Sequence, residues 1–128
     1  MRILLDTHII LWAVTDSPKL PDAAREMIQD ERNQIYFSAA SIWEVAIKYS
    51  MSPDQLPVSS GDLLKYVEQS GYMELPVSAE HASGVAVLPP VHKDPFDRIL
   101  VAQAIAEPMR FLTHDRLLEQ YGSPVFIV

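Results

Sequence analysis

The sequence predicts an α/β fold: a three-layer α/β/α sandwich built on a central, mainly parallel sheet of about five strands. Three observations predict it. Short apolar runs of strand length alternate with longer segments of helical spacing, the pattern of successive strand–helix–strand units. Right-handed crossovers between parallel strands then put the helices on both faces of the sheet. The chain has 128 residues, 48% of them hydrophobic, which is the size of one ordinary domain with ample material for a core. Residues 1–128 are therefore expected to form a single domain, with no repeat, low-complexity tract or long linker to divide them.

Each element follows from local chemistry. Arg2–Leu5 reads as a short buried strand stopped by Asp6, and Thr7 to about Val14 as a helix. Ser17-Pro18 and Leu20-Pro21 mark a break. A second helix covers Asp22 to about Asp30, with Ala23, Ala24, Met27 and Ile28 spaced for one face. Gln34–Phe37 reads as the second strand. A helix follows to about Tyr49, starting near Ser38 or Ser41. Pro53 and Pro57 make 51–60 a loop, and Asp62–Gln69 a helix that Gly71 terminates. Tyr72–Leu75 is the third strand, and Ser78 caps a helix running to about Val87. After Pro89-Pro90, Asp94-Pro95 is a strong helix start, with Asp94 as N-cap and Pro95 in the first helical position. Ile99–Ala106 is nearly all apolar, so that helix is expected to be buried, and Pro108 ends it. Arg110–Leu112 and Val125–Ile127 are the last strands, with a short helix over His114–Gln120 between them.

Composition narrows the function. There is no cysteine, which excludes disulfides and thiolate metal sites and fits a reducing cytoplasm. No signal-peptide pattern opens the chain, and the apolar run Ile9–Val14 is far too short to cross a bilayer. A soluble, cytoplasmic protein without a membrane partner is expected. The net charge of −7 argues against simple electrostatic binding of nucleic acid, which needs a basic footprint. It permits acidic residues that hold divalent cations facing phosphates.

Four acids stand where such a site would form. Ligands of open parallel sheets collect at the carboxyl ends of the strands. Asp6 directly follows the first strand, Asp115 the fourth, and Glu44 lies in the helix after the second. Asp97 joins them only if its helix begins over that edge, a direction we read as unusual. Carboxylates gathered together repel one another unless a cation neutralises them. Mg²⁺ or Mn²⁺ does so with hard oxygen ligands, and can activate water and orient a phosphodiester. Each acid also has a purely structural reading. Asp6 can cap the first helix, Glu44 can complete a capping box from Ser41 or pair with Lys48, and Asp97 and Asp115 suit first helical turns. Asp94 is explained by its N-cap role, with a lesser metal role open. Arg98 can touch phosphate or pair with a neighbouring acid.

The histidines are His8, His81, His92 and His114, and none has His-x-x-x-His zinc spacing. His81 reads as a surface helix residue. His8 and His114 flank the acids and favour a packed or capping role. Trp12 and Trp43 read as core rather than as a base-stacking platform.

At these residues the sequence resembles a PIN domain, in particular the VapC-type toxins of bacterial VapBC toxin–antitoxin modules. The resemblance rests on Leu4-Leu5-Asp6-Thr7-His8, on Ser38 through Lys48 with its Ser41-Ile42-Trp43-Glu44 centre, on His92-Lys93-Asp94-Pro95-Phe96-Asp97-Arg98, and on Leu112-Thr113-His114-Asp115. It covers essentially the whole chain. It implies an Mg²⁺- or Mn²⁺-dependent endoribonuclease acting as a toxin. Asp6, Glu44 and Asp97 match the three most regular acidic positions, Asp115 the variable fourth, and Thr7 and Thr113 the supporting hydroxyls. It also implies an RNA substrate, a small antitoxin that reaches into the acidic site, and a homodimer. The apolar faces of Asp22–Asp30 and of the first helix are our expected dimer surface. The segment 49–56 departs from the family in lacking Gly-Lys-Leu, which removes a basic residue from the RNA path. Two rival readings are a non-catalytic PIN-like binding module and a Mg²⁺-binding receiver-like signalling domain. The second lacks an acceptor Asp after Glu74-Leu75 and a late-strand Lys near Val125–Ile127.

Overall fold

A computed structural model describes residues 1–128. Five strands form one sheet: β1 (Arg2–Leu5), β2 (Gln34–Ser38), β3 (Met73–Leu75), β4 (Arg110–Thr113) and β5 (Val125–Ile127). Their order is β3-β2-β1-β4-β5, and every neighbouring pair is parallel. The chain therefore builds outward from β1 to β3, then returns to the other side of β1. Such a reversal opens a crevice beyond the carboxyl ends of the two strands that flank it, here β1 and β4. The Asp6 N–H donates to Leu112 O at 2.9 Å, which carries the ladder one residue past β1 and holds Asp6 in that crevice.

The helices are α1 (Thr7–Val14), α2 (Asp22–Gln29), α3 (Ala39–Met51), α4 (Ser60–Gln69), α5 (Ala79–Gly84) and α6 (Pro95–Ala106). Strand side chains alternate between faces, and the core divides accordingly. Ile3, Leu5, Ile35, Phe37 and Leu112 pack with α1, α2, α3 and α4 on one face. Leu4, Leu75 and Phe111 pack with Leu100, Val101, Ala102 and Ala104 of α6 on the other. This is the expected three-layer arrangement, with all five strands parallel. No helix is long and apolar enough to cross a membrane.

Several local expectations need correction. The start of α6 over the carboxyl edge is the ordinary direction, not an exceptional one. A helix that feeds a parallel strand runs antiparallel to it, so α6, which leads into β4, must begin where the strands end. The capping box expected at Ser41–Glu44 does not form. Ser38 is the N-cap of α3, its Oγ accepting from Ala40 N at 3.0 Å, so Glu44 lies past the first turn and is free for other work. The helix expected to run to Val87 ends at Gly84 and continues as a 3₁₀ turn over Val85–Val87, and Arg116–Tyr121 is also 3₁₀. Gly71 adopts φ 77° just past the end of α4, as its capping role requires.

His81 is buried, with only 3% of its surface exposed, rather than a surface residue. Ser78 and His81 form a reciprocal capping box, and the ring's Nε2 lies 2.6 Å from Glu107 Oε2 at the far end of α6. The short α5 is thereby stitched to its neighbour. Trp43 is 62% exposed, so it is not core, whereas Trp12 packs against the first apolar cluster as expected. The apolar faces of α1 and α2 pack largely inside the chain. Ile9, Ile10, Leu11 and Ala24 are buried and Met27 and Ile28 pack on the same cluster, while Ala23 faces solvent. Trp12, Ala13, Val14, Met27 and Ile28 stay half-buried at the edge of that cluster.

Candidate active site

Asp6 caps α1 from the end of β1 and is buried. Its Oδ1 accepts from Thr7 N at 2.7 Å and its Oδ2 from Thr113 Oγ1 at 2.6 Å. Burial raises its carboxyl above the ordinary range. The Thr113 and Thr7 hydrogen bonds and nearby His8 oppose that rise, and Glu44 adds to it. Thr113 also accepts from the Asp115 N–H at 3.1 Å. One buried hydroxyl thus links the ends of β1 and β4.

The same logic runs to Glu44. Thr7 Oγ1 lies 2.7 Å from Glu44 Oε1 and 2.9 Å from Ser41 Oγ. An ionised carboxylate can only accept, so Thr7 gives its single proton to Glu44 and Ser41 donates to Thr7. Glu44 is buried and pairs through Oε2 with Lys48, one helical turn later. Burial of Lys48 disfavours its charge. Glu44 outweighs this, with smaller help from Asp94 and Asp97, and raises the ammonium above its usual value.

Asp97 enters from the first turn of α6. Asp94 caps that helix, its Oδ1 accepting from Phe96 N at 2.8 Å. Burial pushes Asp97 up to about 8, reinforced by the charges of Asp6, Asp94, Glu44 and Asp115. The structure therefore brings all four predicted acids into one electrostatic neighbourhood. Asp115 caps the following turn through Oδ1, which accepts from Leu117 N at 3.0 Å. Its Oδ2 lies 3.2 Å from His92 Nε2, and Asp97 Oδ2 lies 3.3 Å from the same nitrogen.

His92 was absent from the predicted site. Its Nδ1 accepts the Asp94 N–H at 3.0 Å, so in the neutral ring the proton sits on Nε2, facing both acids. The ring is a donor that holds Asp97 and Asp115 together. Zinc spacing was the wrong signal to seek. The useful one was that His92 stands in the same short segment as Asp94 and Asp97. Ser41 was likewise visible only as a capping residue. Arg98 contacts no acid. Its guanidinium donates to Pro89 O at 3.1 Å, Val85 O at 3.0 Å and Tyr121 Oη at 3.2 Å. Tyr121 Oη in turn accepts from His92 N at 3.2 Å, so Arg98 fastens the loop that carries His92.

Donor chemistry decides what this cluster can hold. The ligand atoms of His92, Asp97 and Asp115 lie within 4.8 Å of one another, close enough for one ion. Carboxylate oxygens suit hard divalent cations, and the upward push on Asp97 is what a divalent charge would reverse. Because His92 carries its proton on the facing nitrogen, the carboxylates are the natural ligands. A pocket of about 290 Å³ opens beside them, lined by Asp6, Asp115, His8, Trp12 and His114. His8 and His114 are exposed and pack on Trp12, at ring separations of 5.9 and 5.7 Å. A larger cleft, about 700 Å³, is lined by Trp43, Phe96 and other residues of α3, α5 and α6.

A family model described as PIN domain matches residues 3–123. Ribonuclease VapC22 of Mycobacterium tuberculosis is 27% identical over 133 residues, covering 95% of this chain and 93% of the relative. The fold is also that of a chain in the crystal structure of VapBC2 from Rickettsia felis bound to a promoter DNA fragment. The two are 17% identical with a TM-score of 0.69, over 100% of this chain and 98% of that one. A chain of DNA-bound VapBC from Salmonella typhimurium gives a TM-score of 0.70 at 16% identity, over 100% and 97% of the two chains.

Proposed function

The chain belongs to the PIN-domain family, and from that premise we propose that it is a divalent-metal-dependent endoribonuclease, one domain over residues 1–128, acting as the toxin of a toxin–antitoxin pair. One observation carries the reading. Acids from four separate elements are tied into a single network at the carboxyl edge, through Thr7, Thr113 and His92. The kinship with a ribonuclease over nearly its full length supports the same reading.

In this proposal Asp6, Asp97 and Asp115 hold Mg²⁺ or Mn²⁺, and Glu44 is a further ligand or the base that positions water. When bound, such an ion supplies Lewis-acid activation and charge stabilisation for phosphodiester hydrolysis. The chain's own residues do the rest. Thr113 and Thr7 fix the two oxygens of Asp6 and so aim its lone pairs. Thr7 orients Glu44, whose other oxygen is held by Lys48. His92 keeps Asp97 and Asp115 at one spacing against their repulsion. Asp94 and Arg98 act indirectly, by starting α6 and fastening the His92 loop. The proposed partners are RNA as substrate, a cognate antitoxin and a second copy of the chain. The proposed location is the cytoplasm.

The test uses pure protein, a pool of structured and unstructured RNAs, and Mg²⁺ or Mn²⁺. Cleavage should require the metal, stop in EDTA, and fall at least about a hundredfold in Asp6→Asn, the range for loss of an essential charged group in the reaction. Undiminished cleavage by Asp6→Asn would remove the acids from the mechanism.

A further inference from the structure

Trp43 and Phe96 are each the residue immediately before a site acid, Glu44 and Asp97. Their rings meet edge to face, with centroids 5.2 Å apart and planes at 74°. Tryptophan is highly buried on average, yet Trp43 is 62% exposed. It lines the 700 Å³ cleft with Phe96, Val77, Val85 and Ile99. The cleft's only charged lining residues are Lys93 and Arg98, both cationic, on a chain with net charge −7. Arg98 is engaged with backbone carbonyls and Tyr121. Lys93 is exposed, and no ion pair engages it.

Resting on the ribonuclease reading, we propose that the Trp43–Phe96 pair is a stacking platform that seats an unpaired nucleobase of the bound RNA, with Lys93 against an adjoining phosphate. The surface has the two features single-stranded nucleic acid uses: an exposed π-face for the base and a cation for its backbone. Any base resting on Trp43 is held by the same helix that carries Glu44, and Phe96 rides on the helix turn that carries Asp97. A purely apolar occupant would make no use of Lys93, the exposed and unpaired cation of the lining. The platform selects for unstacked bases, so it favours loops and single strands over duplex.

The experiment isolates Trp43. The chain has two tryptophans, so a Trp12→Phe background leaves one reporter. With Asp97→Asn added to prevent cutting, and Mg²⁺ present, the protein is titrated with a short single-stranded RNA and with an abasic oligomer of equal length and charge. The intact RNA should quench Trp43 emission, and the abasic one should bind about tenfold or more weaker. Equal quenching by both, or RNA binding seen by anisotropy without quenching, overturns the platform. In otherwise wild-type protein, Trp43→Leu should raise KM for RNA by about tenfold or more and Trp43→Phe by only a few-fold, because phenylalanine keeps a π-face. Trp43→Leu with unchanged KM but weakened capture of a protein segment would also overturn it, and give the cleft to that segment. If the wild-type chain cuts no RNA, the ribonuclease reading fails, while the quenching comparison still decides whether bases stack here.

Discussion

Asp97→Asn should make the metal-free protein more stable while abolishing metal-dependent cleavage. Burial, together with the charges of Asp6, Asp94, Glu44 and Asp115, moves the Asp97 carboxyl from its ordinary 3.8 to about 8. The folded chain thus holds this proton more tightly than the unfolded chain. Between those two values folding takes up a proton, and stability falls as pH rises through the window. Each pH unit costs at most about 1.4 kcal/mol. The side chain keeps 15% of its surface in solvent, which screens it, so about 2 kcal/mol at pH 7 is the figure we expect. Asparagine keeps the shape and an acceptor for His92 but carries no charge. In EDTA at pH 7 its melting temperature should exceed wild type by roughly 5–10 °C, and the decline of stability between about pH 4 and 8 should flatten. Saturating Mg²⁺ or Mn²⁺ should raise the wild-type melting point and do far less for the variant. Thermal melts across that pH range, with and without metal, read all of this. A variant with the wild type's pH slope and melting point in EDTA would refute the claim that Asp97 sits among unneutralised like charges.

Three further outcomes follow from the same network. Thr113→Val keeps shape but strips a donor from Asp6 and an acceptor from the Asp115 N–H. It should cost about 1–3 kcal/mol in chemical denaturation and weaken metal-dependent cleavage; a neutral result would mean water replaces the hydroxyl. Lys48→Met removes the cation paired with buried Glu44. Metal-free stability should drop by about 1–2 kcal/mol, whereas the stabilisation by Mn²⁺ should grow, because ion and ammonium compete for one cluster of charge. Calorimetry showing unchanged metal affinity would sink that competition. His81→Leu removes one partner of a capping box and of Glu107. It should destabilise the fold by about 1–3 kcal/mol with KM for RNA unchanged, as a denaturation curve and a kinetic assay would show.

The sequence alone determined the order and kind of elements. β1, α1 and β5 coincide with their expected bounds, because Asp6, Ser17-Pro18 and the Gly122 and Pro124 that precede β5 punctuate the chain locally. It also exposed Asp6, Glu44, Asp97 and Asp115 as a set, since Asp6 and Asp115 follow strand ends and Glu44 and Asp97 stand in the segments that resemble a PIN domain. Tertiary structure decided what local signals cannot carry. His92 and Ser41 gained their parts from partners elsewhere in the chain: Asp115 for one, Thr7 for the other. Trp43 and His81 exchanged their expected surroundings, the indole moving outward and the imidazole inward. Residue type predicts burial only on average, while the site of burial is set by which helix packs against which. The apolar faces of α1 and α2 were legible, but not whether a sheet or a second molecule would cover them. Periodicity tells that a face must be covered; only the packed chain tells by what.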